Sequence, residues 1–114
     1  MKRTKRAERV KFERSSGNVY TDLGFKDADA MLVKAELALA IGSIIKEREL
    51  TQAQAAEIVG LAQPKLSNLL RGDFHGVSER RLMDCLTRLG RDVEIVVKEK
   101  PRSRPTGRLS VIIS

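Results

Sequence analysis

Tryptophan is absent, aromatic residues make up only 4% of the chain, and there is one cysteine and one histidine. Each scarcity excludes something. Without large rings, a core must be assembled from Leu, Ile, Val and Ala, which suits small helical packing. A lone Cys85 cannot form an internal disulfide and supplies no metal framework. Its spacing between Leu82 and Leu89 reads as a buried structural thiol. His75 sits in the Gly72–Gly76 stretch with no cysteine or second histidine nearby, so a metal site is not expected. No apolar run approaches the ~20 residues that span a bilayer. The start, Met1-Lys-Arg-Thr-Lys-Arg, has basic residues without an apolar stretch behind them, unlike a secretory signal. The expectation is a soluble cytoplasmic protein with no membrane segment. There is no phosphate-cradling glycine loop and no Ser or Cys nucleophile beside a histidine base. Glu57 and Asp84 read as dispersed helix-surface carboxylates, so neither catalysis nor a cofactor is expected.

What is present is charge, unevenly placed. The 114 residues, enough for one modest core, carry a formal net charge of +7. Residues 1–14 hold seven basic and two acidic side chains, net +5, and residues 98–108 hold five basic and one acidic, net +4. The remaining body is therefore slightly acidic, at −2. Basic ends of this kind are either solvated termini or arms that hold nucleic-acid phosphates without reading sequence.

The pattern divides the chain into a basic N-terminal arm over 1–18, a folded domain over 19–97, and a basic tail with a short apolar end over 98–114. Val10 and Phe12 alternate as in a short strand. Val19, Tyr20, Leu23 and Phe25 suggest a segment packed onto the domain. Asp27 is placed to cap a long helix reaching about Arg48, with Leu32, Ala35, Leu39, Ile41, Ile44 and Ile45 as its apolar stripe and Lys34, Glu36, Lys46 and Glu47 partly outside it. Ser78 is placed to cap a helix from Glu79 to about Leu89, with Leu82, Leu86 and Leu89 inward and Gly90 as its stop. Val93-Glu-Ile-Val-Val97 is β-branched and apolar, predicting a strand over 92–97. A lone strand leaves its donors and acceptors unmet. It would pair with its symmetry mate across a two-fold axis, or with residues 10–13 or 109–113 of the same chain. Residues 101–108 read as a flexible basic linker. Leu109-Ser-Val-Ile-Ile113 is suited to joining a sheet or being bound by a partner protein.

The most informative stretch runs from Leu50 to Gly72. Thr51 is a good N-cap, and Gln54 stands where it closes a capping box. Ala56 and Val59 form an inward pair, and Gly60 supplies a turn residue that ends the first helix. Leu61 anchors the turn. Gln63-Pro64 opens a second helix, where proline is tolerated because first-turn N–H groups lack intrahelical partners. Leu66, Leu69 and Leu70 recur at i, i+3 and i+4 and point inward, which leaves Gln63, Lys65, Ser67 and Asn68 on the outer face.

This segment resembles the helix-turn-helix of the lambda-repressor/Cro-like family, the XRE class. The Leu50-Thr51-Gln52 entry, Ala56, the Val59-Gly60-Leu61 turn, and Leu66-Ser67-x-Leu69 with its Arg71-Gly72 exit match that pattern. Ala62, where the family often has Ser or Thr, and Pro64 depart from it. The context over residues 15–98 is similar to small regulators that include HigA-like antitoxins encoded beside RelE-type toxins. The resemblance implies a mainly α bundle of four to five helices, with a short C-terminal strand used in dimerisation. It also implies a homodimeric repressor on a double-stranded DNA operator, with the second motif helix in the major groove. Carried over by position, Gln63 and Asn68 are candidates for base contacts, with Ser67 and Pro64 beside them. Gln52, Lys65 and Arg71 are candidates for phosphate contacts. The alternative function is neutralisation of a RelE- or HigB-like toxin protein, alone or in addition to DNA binding.

Overall fold

The computed structural model describes residues 28–114. The basic arm over 1–18, the short strand at Val10 and Phe12, the packing of Val19, Tyr20, Leu23 and Phe25, and the Asp27 cap lie outside the described residues. Four helices follow in order: α1 (Ala28–Glu47), α2 (Gln52–Val59), α3 (Gln63–Leu70) and α4 (Glu79–Arg88). The chain divides into two compact units. One is Lys34–Ile95; of the other, Met1–Val33 with Val96–Ser114, the described part is Ala28–Val33 and the C-terminal segment.

Within Lys34–Ile95, α2 packs against both α3 and α4. Val59 of α2, Leu66 and Leu69 of α3, and Leu82, Cys85, Leu86 and Leu89 at α4 are all buried, as is Ile41 of α1. The apolar spacing read for α2, α3 and α4 thus corresponds to the faces that pack. Leu70 is only half-buried and lies over Gly42, where an added Cβ would stand 3.4 Å from Leu70 Cδ2. Phe74 and Val77, in the loop before α4, are also buried. They pin that loop to the core, which the helical periodicity did not disclose.

The stripe expected on α1 needs correction. Leu39 is 57% exposed, and Leu32 and Ala35 are only partly covered. The buried positions include Leu37, Ala38, Ile41, Ile44 and Ile45, with Glu36 among them at 1% exposure. Positions 37, 41, 44 and 45 superpose on one helical face, whereas residue 39 is turned about 200° from residue 37. Glu36 shares the side of Ala40, one turn on, and is carried inward with it.

The caps follow the sequence closely. Thr51 N–H donates to Gln54 Oε1 at 2.8 Å, and Gln54 N–H donates to Thr51 Oγ1 at 3.1 Å, completing the capping box. Ser78 Oγ accepts from Arg81 N–H at 3.1 Å. At their C-termini the four helices share one closure. A residue with positive φ (Glu49, Gly60, Gly72 or Gly90) is followed by one whose N–H reaches back to a helical carbonyl. These bonds run from Leu50 to Ile45, Leu61 to Ala56, Asp73 to Asn68 and Arg91 to Leu86, at 2.9–3.1 Å, and they satisfy carbonyls that the helix itself leaves open. Three of the four closures use glycine. The first uses Glu49, at φ 57, where Cβ crowds the backbone. Just beside it, Arg48 Nη1 donates to Leu89 O at 3.2 Å, and Arg91 pairs with Glu47 at 2.7 Å, tying the end of α1 to the end of α4.

The strand expected over 92–97 is not shown among the described residues. Residues 91–100 carry no regular element, and Ile113 is the single bridge residue among those described. A strand is held by ladder bonds to a neighbour, and the described residues offer this segment none.

Replacing Glu49 with glycine is expected to raise stability by about 1 kcal/mol, since it removes the left-handed penalty. Replacing Gly60 with alanine should lower stability by about 1–2 kcal/mol; its φ is 78, and a Cβ there would meet Arg88 Nη1 at 3.2 Å. Thermal melts of the two variants should therefore move in opposite directions.

Candidate nucleic-acid interface

Helix α3 is eight residues long and serves two purposes at once. Its inner side chains, Leu66 and Leu69, are buried, so the helix is fixed in rotation as well as position. Gln63, Pro64 and Lys65 are consequently exposed. Ala62 is the N-cap in extended geometry and makes no side-chain cap bond. The first-turn N–H groups of Gln63 and Lys65 therefore remain open to an outside acceptor, and Pro64 has none to leave unsatisfied.

Ser67 and Asn68 differ from the expectation of a fully outward pair. Both are half-buried, and Arg71 folds back along the helix to reach them. Arg71 Nη1 donates to Ser67 Oγ at 2.8 Å, and Arg71 Nη2 donates to Asn68 Oδ1. The planar guanidinium thus spans two side chains one turn apart. It fixes which end of the Asn68 amide is the acceptor: Oδ1 faces Arg71, so Nδ2, with two donors, faces away. Gln63, Lys65, Ser67 and Asn68 lie on α3, and Arg71 is its C-cap. Gln52 stands apart from them, exposed in the first turn of α2. The capping box occupies Gln54, so Gln52 is the amide in that turn left for other contacts.

Arg81 was not singled out by sequence reasoning. From α4 its Nη2 donates to the carbonyl oxygen of Gly60 at 2.6 Å, so the fourth helix grips the turn that sets the angle between α2 and α3. Asp84 holds it in place: its Oδ2 lies 3.6 Å from Arg81 Nη1 and accepts from Arg88 Nε at 3.0 Å. Nothing in the sequence links positions 81 and 60, which are 21 residues apart. The Ser-Glu-Arg-Arg run after Val77 offered only an N-cap and charge.

Beside α3 lies a groove of about 390 Å³ lined by Leu61, Lys65, Gly76, Val77, Ser78 and Arg81. Its two cations and the start of α4 suit it to an anion. Cys85 is fully buried, and burial pushes its thiol upward from the usual value, with Asp84 acting in the same direction against Arg81 and Arg88. It is a packing residue, protonated and enclosed. His75 is exposed, and its backbone N–H donates to Asp73 Oδ1 at 3.4 Å. Among the described residues no cluster of His, Cys, Asp and Glu fits a metal ion, and no helix is long and apolar enough to cross a membrane.

Residues 19–98 match the family model of a helix-turn-helix domain. A solved structure described as an XRE family transcriptional regulator is similar to this chain, with a TM-score of 0.73 and 43% sequence identity. The similarity covers 77% of this chain and 99% of that one. No curated protein matches the chain.

Arg81→Met should release the Gly60 carbonyl. It is expected to cost about 1 kcal/mol, the worth of a partly exposed charge-assisted bond, and to lower the melting temperature by several degrees. Hydrogen exchange should then quicken at the Gly60 and Leu61 amides before it does so at the core of α4.

Proposed function

The chain belongs to the XRE-like helix-turn-helix family, whose members are DNA-binding regulators rather than enzymes, and we propose that it is a dimeric repressor reading an inverted repeat. The observation that carries this reading is α3 itself: a short helix locked by Leu66 and Leu69 whose opposite side presents Gln63, Pro64 and Lys65. A helix of this kind fits the major groove, where an Asn or Gln amide pairs bidentately with adenine N6 and N7. Gln63 and Asn68 are assigned to base contacts. Ser67 adds a hydroxyl, and Pro64 adds an apolar surface for a thymine methyl or shapes the start of the helix. Gln52, Lys65 and Arg71 are assigned to phosphates, which position the helix without reading sequence. Arg71 has a second part here. By holding Asn68 Oδ1 before DNA arrives, it orients the amide.

Two copies related by a two-fold axis would present their α3 helices ~34 Å apart, one turn of DNA. Binding across a promoter would then repress by occlusion. The basic segments at 1–18 and 98–114 would add phosphate contacts around this core. A second reading is favoured by the exposed Leu109 and Ile112 in the C-terminal segment, each 59% accessible. Such side chains suit a protein partner, and neutralisation of a toxin would be compatible with DNA binding. A short neighbouring reading frame for a RelE-like toxin would support it.

The test is a gel shift with footprinting on DNA upstream of the protein's own coding sequence, across a salt series. Protection of an inverted repeat is expected. The Gln63→Ala/Asn68→Ala double variant should lose discrimination at the bases those residues read, roughly tenfold to a hundredfold for each lost amide pair. Lys65→Ala should weaken all sequences alike and reduce the slope of log K against log salt by about 1. If the double variant binds with unchanged sequence preference, the assignment of α3 is wrong.

A further inference from the structure

The outer side of α3 is not uniform in hydrogen-bond polarity. Near its start Gln63 is exposed, and no hydrogen bond among the described residues uses its side chain, so its amide offers both a donor and an acceptor. Near its end the acceptors are taken. Ser67 Oγ accepts from Arg71 Nη1 at 2.8 Å, and Asn68 Oδ1 accepts from Arg71 Nη2. A guanidinium has only donors, so it can meet only the oxygen end of the amide. What this cluster has left to offer is therefore all donor: the Ser67 hydroxyl hydrogen, both hydrogens of Asn68 Nδ2 and the remaining N–H groups of Arg71. We propose that the cluster reads an edge made of acceptors, the N7 and O6 of guanine, and that Arg71 sets this choice by occupying Asn68 Oδ1. The inference rests on the DNA-binding reading above. It separates Asn68 from Gln63, which keeps the acceptor that adenine requires.

Base edges in the major groove differ in the polarity they present. Adenine sets an N6 amino donor beside N7, so an amide reads it with oxygen and nitrogen side by side. At position 68 the oxygen is held by a cation, and the N6 amino group would meet the guanidinium donor to donor. That leaves a polar group desolvated without a partner, which is the costly case. Cytosine presents an N4 amino donor and fails for the same reason. Thymine offers one acceptor, O4, next to its methyl group. Guanine presents two adjacent acceptors, which Asn68 Nδ2 and the Arg71 N–H groups can satisfy together. A phosphate also accepts, and the charge of Arg71 suits it to one. With oxygens on every side, however, a phosphate makes no demand on the direction of an amide. The bridge to Arg71 fixes that direction, and direction is what a base edge requires.

The full chain would be titrated, by fluorescence anisotropy, with the duplex it protects. The base read by Asn68 is located as the one whose discrimination is lost in Asn68→Ala. Guanine is expected there. Inosine, which keeps N7 and O6, should bind as well as guanine. 7-Deazaguanine, which lacks the N7 acceptor, should bind about tenfold more weakly, and adenine roughly tenfold to a hundredfold more weakly. In Arg71→Met the amide is free to turn, and the preference for guanine over adenine should fall by about tenfold. If Arg71 held only a phosphate, both duplexes would weaken together and the ratio would not change. An unchanged ratio, a base other than guanine at the located position, or no altered preference in Asn68→Ala overturns the inference, while sequence-specific binding through Gln63 stands. Binding indifferent to every base removes the DNA-reading assignment of α3 itself, and this inference with it.

Discussion

Gly60 sits where three requirements meet. Its φ of 78 lets the chain leave α2 and start toward α3 within three residues. Its N–H closes on Ala56 O at 2.8 Å. Its carbonyl, which would otherwise point away from any helix, accepts from Arg81 at 2.6 Å. The angle between the two motif helices depends on this residue more than on any side chain of α3. A Cβ here would be strained by the backbone and crowded by the Arg88 guanidinium, so glycine satisfies conformation and space together.

From that turn the reading helix inherits its orientation. With only eight residues, α3 would not hold together alone in water. It is stabilised by burying Leu66 and Leu69 against α2 and its neighbours, while Gln63 and Lys65 make no contribution to that packing. Surface chemistry and core packing are thus divided between the two sides of a single short helix, and the outer side is left open to recognition. Arg71 is the exception. It closes the helix C-terminus through its backbone and reaches back with its side chain to Ser67 and Asn68. Affinity for phosphate and orientation of a base-reading amide are therefore coupled in one residue.

Much of this was legible along the chain. Thr51 and Gln54 announced a capping box, Ser78 an N-cap, and Gly60 and Gly90 helix ends, because caps are local devices whose partners lie within a few residues. The periodic leucines of α3 and α4 were legible for the same reason. The long helix was read less well. Leu39 belonged by hydropathy to the stripe but is turned outward, and Glu36 belonged by charge to the surface but is buried. In a helix rich in Ala and Leu nearly every direction is apolar, so the packing partners choose the buried face and the sequence does not. The segment over 92–97 was read as a strand, and none is shown there among the described residues, because a strand requires a neighbour.

The sequence by itself determined where α2, α3 and α4 begin and end and which residue types occupy the outer side of α3. Those properties rest on hydrogen bonds and spacings that close within one or two turns. Only the tertiary structure decided that Arg81 would grip Gly60 from 21 residues away and that Phe74 and Val77 would anchor the loop before α4. Such contacts arise where packing brings separate elements, or the far end of a long side chain, to the same point. A one-dimensional pattern holds no distance between residues that far apart.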